Sequence, residues 1–256
     1  MNMFEAIFSR KSIRHFQQEK VDWNIIAEIL DYADNLPMLM EGISVEFKLV
    51  SNIEKKQGFH GPLSAKAPYY ICISSEEKED YLINAGYLMQ QLNLYITSKG
   101  LATCFIGSTT TPGHSLKSTM KYEYVTALAF GKTTESLYRN SSEAKRLSEK
   151  EVVVYKEEVT PDIRQILTAA RLAPSIFNSQ PWRFVVYRNR IHIFTKKNSL
   201  LSTILDFNKM IDMGIMMANL LLAAEELWVD VSLSKSDSIK SKQFLNNEYV
   251  CTLSIG

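Results

Sequence analysis

The chain has 256 residues, of which 46% are hydrophobic and 22% charged, and its formal net charge is +1. This length is enough for a large hydrophobic core in one domain or two small ones, and the nearly neutral charge does not favour binding to nucleic acid or to an anionic membrane. The longest apolar run, 214–224, is shorter than the ~18–20 residues that span a bilayer, so we expect no membrane segment.

Hydrophobic periodicity predicts helices and strands in irregular alternation, which is typical of an α+β fold. The predicted helices are 3–10, 22–35, 84–99, 160–172 and 208–227, and the predicted strands are 45–50, 69–74, 125–130, 183–187, 190–195 and 248–255. Thr160 followed by Pro161 indicates the start of a helix, and Gly100 indicates the end of one. The segment 187–192 predicts a tight hairpin turn around Asn189.

The three cysteines, Cys72, Cys104 and Cys251, have no metal-binding or redox spacing, and each lies in an apolar run. We expect them to be small buried hydrophobic side chains of a protein from a reducing compartment. The histidines also lack the spacing of metal ligands, so no metal site is expected. Since the amino-terminal segment has no apolar core of a secretory signal, we expect a cytoplasmic protein.

The two halves of the chain resemble each other. IIAEILDYADNLP matches DIRQILTAARLAP, with Pro37 aligned to Pro174 (174 − 37 = 137), and 84–100 matches 212–228. Two further matches, 47–50 with 184–187 and 128–131 with 253–256, keep the same order. These four blocks predict a tandem duplication, with half one and its linker at 1–150 and half two at 151–256, in one compact unit. The polar segment 132–156 has no counterpart in half two. It links the halves, and two alternatives stay open for 132–142: a disordered linker or a segment that wraps around the molecule.

Four clusters contain side chains suited to ligand binding. Arg10, Ser12 and Arg14 offer guanidinium and hydroxyl donors for phosphate oxygens, although a solvated basic helix end is an alternative. APSIFNSQPW (173–182) places hydroxyls and an amide at the end of a helix, or is an ordinary loop with Trp182 in the core. GLATCFIGSTTTPGHS (100–115) ends in a loop whose N–H groups could face a ligand, or is a plain loop. The pair Lys145 and Arg146 could bind an anion or only be solvated.

These motifs occur together in one family. R-x-S-x-R-x-F at 10–16, APSxxNxQPW at 173–182 and a GLATCFIG-type segment after a long apolar helix are similar to the FMN-dependent nitroreductase family, and the resemblance covers nearly the whole chain. It implies a nitroreductase-like fold of two tandem half-repeats, each with a helix-flanked antiparallel or mixed sheet, packed as an internal pseudo-dimer. Half one lacks the second motif and half two lacks the first, so one flavin site is expected to survive, in a monomer.

The resemblance also implies roles for individual residues around FMN. Arg10, Lys11 and Ser12 would contact the phosphate and ribityl chain, and Arg14 would lie towards the pyrimidine edge of the ring. Half two would contribute Pro174, Ser175 and Asn178 to the same flavin, and the backbone of Ile106, Gly107 and Ser108 would approach flavin N5. Lys145 and Arg146 would form a basic segment at the phosphate.

The resemblance implies an oxidoreductase that passes hydride from NADH or NADPH through flavin N5 to nitroaromatics, quinones or similar small acceptors. Three alternatives stay open: an FMN-binding carrier or sensor, a pseudoenzyme with little turnover, and a flavin-dependent reductive dehalogenase. The sequence does not distinguish NADH from NADPH and does not identify the physiological acceptor.

Overall fold

The computed structural model describes residues 1–53, 59–60, 65–107, 111–112, 117–197, 203–240, 244 and 246–256, without the side chains of 60, 111, 112 and 203–205. The helices are α1 (Met3–Ser9), α2 (Trp23–Asp34), α3 (Tyr81–Ser98), α4 (Glu149–Val152), α5 (Pro161–Arg171), α6 (Thr203–Glu226) and α7 (Asp237–Lys240), with 3₁₀ turns at Ser141–Glu143 and Ile176–Asn178. The strands are β1 (Val45–Ser51), β2 (Phe59–His60), β3 (Tyr69–Ser75), β4 (Ala102–Ile106), β5 (Thr111–Pro112), β6 (Glu123–Gly131), β7 (Val153–Tyr155), β8 (Trp182–Tyr187), β9 (Arg190–Lys196), β10 (Val231–Ser234) and β11 (Asn247–Ile255).

The strands form two main sheets of related design. The first has the order β1-β3-β6-β4 and is antiparallel throughout, and the second has the order β10-β11-β9-β8-β7, in which only the β7–β8 pair is parallel. Read from β8, the second sheet runs β8-β9-β11-β10, which is the order of the first sheet, with β7 added at its edge. Strands β2 and β5 form a separate pair. The α+β class is confirmed, and the division into halves at 150/151 stays a prediction that this shared order supports.

Helices α3 and α6 pack against each other through a reciprocal pair of glycines. A Cβ on Gly86 would overlap the carbonyl oxygen of Ile211, and a Cβ on Gly214 would overlap the carbonyl oxygen of Ile83. Only glycine allows the two backbones to approach this closely. The two contacts are equivalent under the repeat. Gly86 corresponds to Gly214 (214 − 86 = 128), and Ile83 corresponds to Ile211 (211 − 83 = 128).

The elements expected from periodicity are confirmed, with bounds that shift by a few residues. Thr160 caps α5 and Pro161 occupies its first turn, Gly100 follows α3 with a φ of 79°, and a two-residue turn with Asn189 joins β8 to β9. The predicted strands did not include β2, β4, β5, β7 and β10, and the predicted helices did not include α4 and α7, because each of these elements has at most five residues and too little pattern to detect. The three cysteines are buried and unpaired.

The segment that links the halves lies along the amino-terminal segment. The N–H of Gln17 donates to the Lys132 carbonyl at 2.9 Å, and the N–H of Arg139 donates to the Ser9 carbonyl at 2.9 Å. These contacts favour the wrapping alternative over a disordered linker for 132–142. Across the described helices, none combines the length and the apolar character that a bilayer-crossing helix requires.

Candidate functional site

One crevice collects four segments that are far apart in sequence. It encloses about 760 Å³, part of it open to solvent, between the extended segment after α1, the end of β4, the loop after α5 and one face of α6. The lining residues are Ser12, Arg14, Cys104, Phe105, Ile106, Gly107, Thr126, Pro174, Ser175, Ile176, Phe177, Asn208, Ile211, Asp212 and Ile215. The amino-terminal motif and the motif at 173–182 therefore face the same crevice.

Successive side chains of the extended segment after α1 point to opposite sides of the segment. The N–H of Ile13 donates to the Thr103 carbonyl at 3.0 Å, which fixes the segment beside β4, and the Ile13 side chain is buried. Because alternate residues of an extended chain point to opposite sides, Ser12 and Arg14 face the crevice. Lys11 points elsewhere, into a separate open depression that it shares with Arg139.

Behind Ser12 lies a buried cation, Arg10, which is 3% exposed. Its Nη2 donates to the Ser12 hydroxyl oxygen at 3.0 Å, while its Nε has no hydrogen-bond partner. Burial, and then the neighbouring charges of Arg146 and Arg139, lower the pKa of Arg10 to about 9. Within the described part of the chain no carboxylate forms an ion pair with Arg10 or Arg146, so this cluster of cations is electrostatically suited to an anion.

Arg146 connects this cluster to the loop after α5. Its Nη1 donates to the side-chain oxygen of Asn178 at 2.9 Å, and its Nη2 donates to the Leu172 carbonyl at 3.0 Å. Its Nε, like that of Arg10, is buried without a partner. Burial, then the charges of Arg139 and Arg171, lower the pKa of Arg146 to about 10. Of the basic pair predicted at 145–146, only Arg146 turns inward, since the side chain of Lys145 is exposed.

The loop after α5 holds a strained backbone. Three of its residues without glycine's freedom have positive φ: Phe177 at 51°, Asn178 at 55° and Gln180 at 47°. Such conformations persist only where surrounding contacts impose them, and they concentrate at functional sites. Here the N–H of Gln180 donates to the Ser175 hydroxyl oxygen at 3.0 Å, and the N–H of Leu147 donates to the Gln180 side-chain oxygen at 2.8 Å.

Asp212 of α6 anchors the same loop from the floor of the crevice. Both of its carboxyl oxygens accept from the N–H of Ile176 at 3.1 Å, and one accepts from the Ser179 hydroxyl at 3.3 Å. The side chain is 3% exposed, and burial raises its pKa well above the ordinary value, against the opposing effect of these hydrogen bonds. Sequence reasoning missed Asp212. The available signal was an acid at the start of the apolar run, aligned with Asn84 in half one.

The structure brings half of the residues implied by the resemblance to the crevice surface. Those that line it are Ser12, Arg14, Ile106, Gly107, Pro174 and Ser175. Arg10, Arg146 and Asn178 lie behind this surface in the connected cluster described above. Lys11 and Lys145 are directed away from it, and Ser108 lies outside the described residues.

The other lining residues were not named individually as ligand contacts. Cys104, Phe105, Ile176 and Phe177 lie within two of the predicted clusters, whereas the lining residues of β6 and α6 lie outside all of them. Apolar side chains from α6 and β4 form the walls of the crevice, and the Thr126 hydroxyl donates to the Ile106 carbonyl at 3.1 Å, which fixes the end of β4. Phe177 stands at the edge with 70% of its surface exposed. The arrangement is a largely apolar slot with a buried cationic cluster behind one wall, which suits a flat ligand that carries an anionic group.

Comparison with known proteins identifies the family of the chain. A family model described as "Putative TM nitroreductase" matches residues 2–224. The structure of "a putative nitroreductase" from Thermotoga maritima is 20% identical, has a TM-score of 0.67, and the match covers 100% of this chain and 93% of that chain. An FMN-dependent nitroreductase from Clostridium difficile R20291 is 23% identical, with a TM-score of 0.44 and coverage of 56% of this chain and 93% of that chain.

A nitroreductase with bound FMN from Desulfitobacterium hafniense is 18% identical, with a TM-score of 0.46 and coverage of 60% of this chain and 98% of that chain. No curated protein matches the sequence. The family model spans most of the chain, and the Thermotoga maritima structure shares the fold over the whole of this chain. The chain therefore belongs to the nitroreductase family.

Proposed function

We propose that this chain is an FMN-dependent oxidoreductase that passes hydride from NADH or NADPH to nitroaromatics, quinones or similar small acceptors. The observation that carries the proposal is the meeting of Ser12 and Arg14 with Pro174 and Ser175 around one slot, backed by the unpaired cations Arg10 and Arg146. When bound, FMN supplies the redox chemistry, by accepting hydride at N5 and passing it on.

The cationic cluster fits the phosphate of FMN. A phosphate carries up to two negative charges and several acceptor oxygens, and arginine matches it with paired donors. The orphaned Nε atoms of Arg10 and Arg146 are buried donors that an anionic ligand would satisfy directly or through a bridging water. The Ser12 hydroxyl, which already accepts from Arg10, keeps its own proton free to donate toward the crevice.

The slot fits the ring. Ile211 and Ile215 of α6 and Phe105 and Ile106 of β4 provide apolar contact, which a flat aromatic system needs on being removed from water. Arg14 lines the same slot and would stabilise negative charge as it develops on a ligand ring undergoing reduction, since a fixed cation requires little reorganisation. The backbone of Ile106 and Gly107 is the proposed approach to flavin N5.

We propose one FMN for each chain. The strand order makes β10 the counterpart of β4. The charged side chains that line the crevice beyond β10 are two lysines, Lys235 and Lys240, and three acids, Asp80, Asp237 and Glu248, with no arginine among the described residues. Lys235 is already paired with Asp80 at 2.5 Å and with Glu79 at 2.7 Å. This second crevice is therefore poorly suited to a phosphate. Because both halves of the chain contribute side chains to the first crevice, we also propose that a monomer is sufficient.

Steady-state oxidation of NADH and of NADPH tests this function, with menadione and a nitrofuran as acceptors. The proposal expects turnover by protein that contains FMN. Bound FMN without turnover would support a carrier or sensor instead, and protein that neither binds FMN nor oxidises the nicotinamide would contradict the proposal.

A further inference from the structure

Two equivalent side chains of α3 and α6 hold equivalent loops. Asn84 accepts from the N–H groups of Leu39 and Met40 at 3.0 and 3.2 Å, and Asp212 accepts from the N–H of Ile176 at 3.1 Å. The pairs are related by the repeat, since 212 − 84 is 128 and 176 − 39 is 137, the offsets by which the two halves align. A neutral amide therefore performs, in half one, the loop-holding task that a carboxyl group performs in half two.

An ionised carboxyl group costs more free energy at a buried position than an amide does. A buried ionised carboxylate without a cation costs several kcal/mol, which an amide avoids. Among the described residues, two other ionisable side chains line the crevice, Arg14 and Cys104, and neither is hydrogen-bonded to Asp212. Lys209, one turn earlier on α6, is paired with Asp206 at 2.9 Å and Glu248 at 3.6 Å. On α3, Tyr87 lies at the contact with α6, where its backbone nitrogen approaches Gly214, and burial raises its pKa.

An acid that stays protonated avoids this cost and gains a function that an amide lacks. With the proton on Oδ1, the carbonyl oxygen Oδ2 still accepts from the Ile176 N–H and the Ser179 hydroxyl. The Oδ1 hydroxyl then gives a residue that lines the crevice an acidic donor. Carboxylic acids kept neutral by apolar surroundings serve as donors in other active sites. Burial raises the pKa of Asp212 in the required direction.

We propose that Asp212 is a proton donor to the acceptor bound in the crevice. This inference rests on the proposed function. For a quinone acceptor, the nicotinamide provides two electrons and one proton as hydride, through the cofactor, and Asp212 provides the second proton to a quinone oxygen. The hydroquinone leaves, and the Asp212 carboxylate regains a proton from water. The acceptors favoured by this donor are those with a hydrogen-bonding oxygen conjugated to the reduced centre, such as quinones and nitro groups.

Acceptor choice separates proton donation from loop holding. Asp212→Asn should retain the loop, because Asn84 does so in half one, and should lower turnover with menadione about 100-fold, the lower end of general-acid contributions. Turnover with ferricyanide, which takes electrons without protons, should stay unchanged. Asp34→Asn, at an exposed acid on α2, is the matched control and should change neither rate. An equal loss of turnover with menadione and with ferricyanide would show that Asp212 has only a structural role, and it would overturn the proposal.

An infrared difference spectrum provides a readout independent of activity. At neutral pH the wild-type protein and Asp34→Asn should show the carbonyl stretch of a protonated carboxyl group that Asp212→Asn lacks. If Asp212→Asn instead removes a carboxylate band, Asp212 is ionised and the proposal is wrong. If the protein holds no FMN, the proposed function fails, and the infrared spectrum still decides whether Asp212 is protonated.

Discussion

The guanidinium of Arg146 donates a 2.9 Å hydrogen bond to the side-chain oxygen of Asn178. This bond ties the segment between the two sheets to the strained loop after α5, and it does so next to Arg10, whose pKa the charge of Arg146 helps to lower. Two cations are thereby held close together at the rear of the crevice. An anionic ligand would relieve their repulsion, so the ligand's phosphate is expected to contribute much of its affinity.

Replacing Arg10 with Ala should weaken FMN binding by about 10- to 100-fold, since a hydrogen bond to a charged group is worth about 1.5–3 kcal/mol. Riboflavin, which has the same ring and no phosphate, should bind the variant and the wild type equally. Fluorescence titration of the apoprotein measures both. Arg188→Ala, at an exposed arginine in the β8–β9 turn, is the matched control. Equal losses for FMN and riboflavin would show that Arg10 does not bind the phosphate.

Phe177 offers an exposed aromatic face at the edge of the crevice, with 70% of its surface accessible. Replacing it with Ala should raise the KM for a flat aromatic acceptor about threefold to tenfold, because a stacked aromatic pair is worth about 0.5–1.5 kcal/mol. The kcat should change little, and Phe177→Tyr should restore the KM. Trp228→Ala, at an exposed aromatic residue outside this crevice, serves as the control. If kcat falls while KM is constant, Phe177 acts on the loop and not on the acceptor.

Much of this architecture was accessible from the sequence, for identifiable reasons. Helices α2 and α5 carry a one-sided apolar pattern, and Thr160 with Pro161 marks where α5 begins. The juxtaposition of Ser12 with Ser175 followed from the family resemblance, because no local pattern links positions so far apart.

The shape of the loop after α5 could not be predicted in the same way. Positive φ at Phe177 and Gln180 opposes the local preference of these residues, and it is imposed by distant partners such as Asp212 and Leu147. The separation of Lys11 from Ser12 was not predicted either. The two side chains line different depressions because alternate residues of an extended chain point to opposite sides. The contact of Lys11 with the phosphate stays a prediction.

The contact between α3 and α6 predicts that a Gly→Ala substitution in these helices lowers the stability of the protein, although the same substitution stabilises a free helix. In a free helix, Gly→Ala stabilises by about 1 kcal/mol. Gly214→Ala should instead destabilise by about 1–3 kcal/mol, because the added methyl group would overlap the Ile83 carbonyl and force the helices apart. Gly86→Ala should behave alike, through Ile211. Urea denaturation gives the free energy of unfolding, and a gain in stability for either variant would refute this close packing.

The protonation of Asp212 predicts how stability depends on pH. Its pKa is raised in the folded state, so over the range between its ordinary and its folded pKa the native protein binds more protons than the unfolded chain, and stability falls as pH rises. The stability of the Asp212→Asn variant does not fall with pH for this reason, because the variant has no carboxyl group at this position. Its stability relative to wild type should therefore increase as pH rises through that range and be constant below it. Unfolding curves for both apoproteins across pH measure the difference, and a difference that does not vary with pH would contradict the raised pKa.

The absorption spectrum of the freshly purified protein, followed by denaturation and quantification of the released flavin, tests the central claim most directly. The account predicts flavin bands and about one FMN for each chain. A colourless protein that binds no added FMN would contradict the assignment of the crevice, and two FMN for each chain would contradict the loss of the second site.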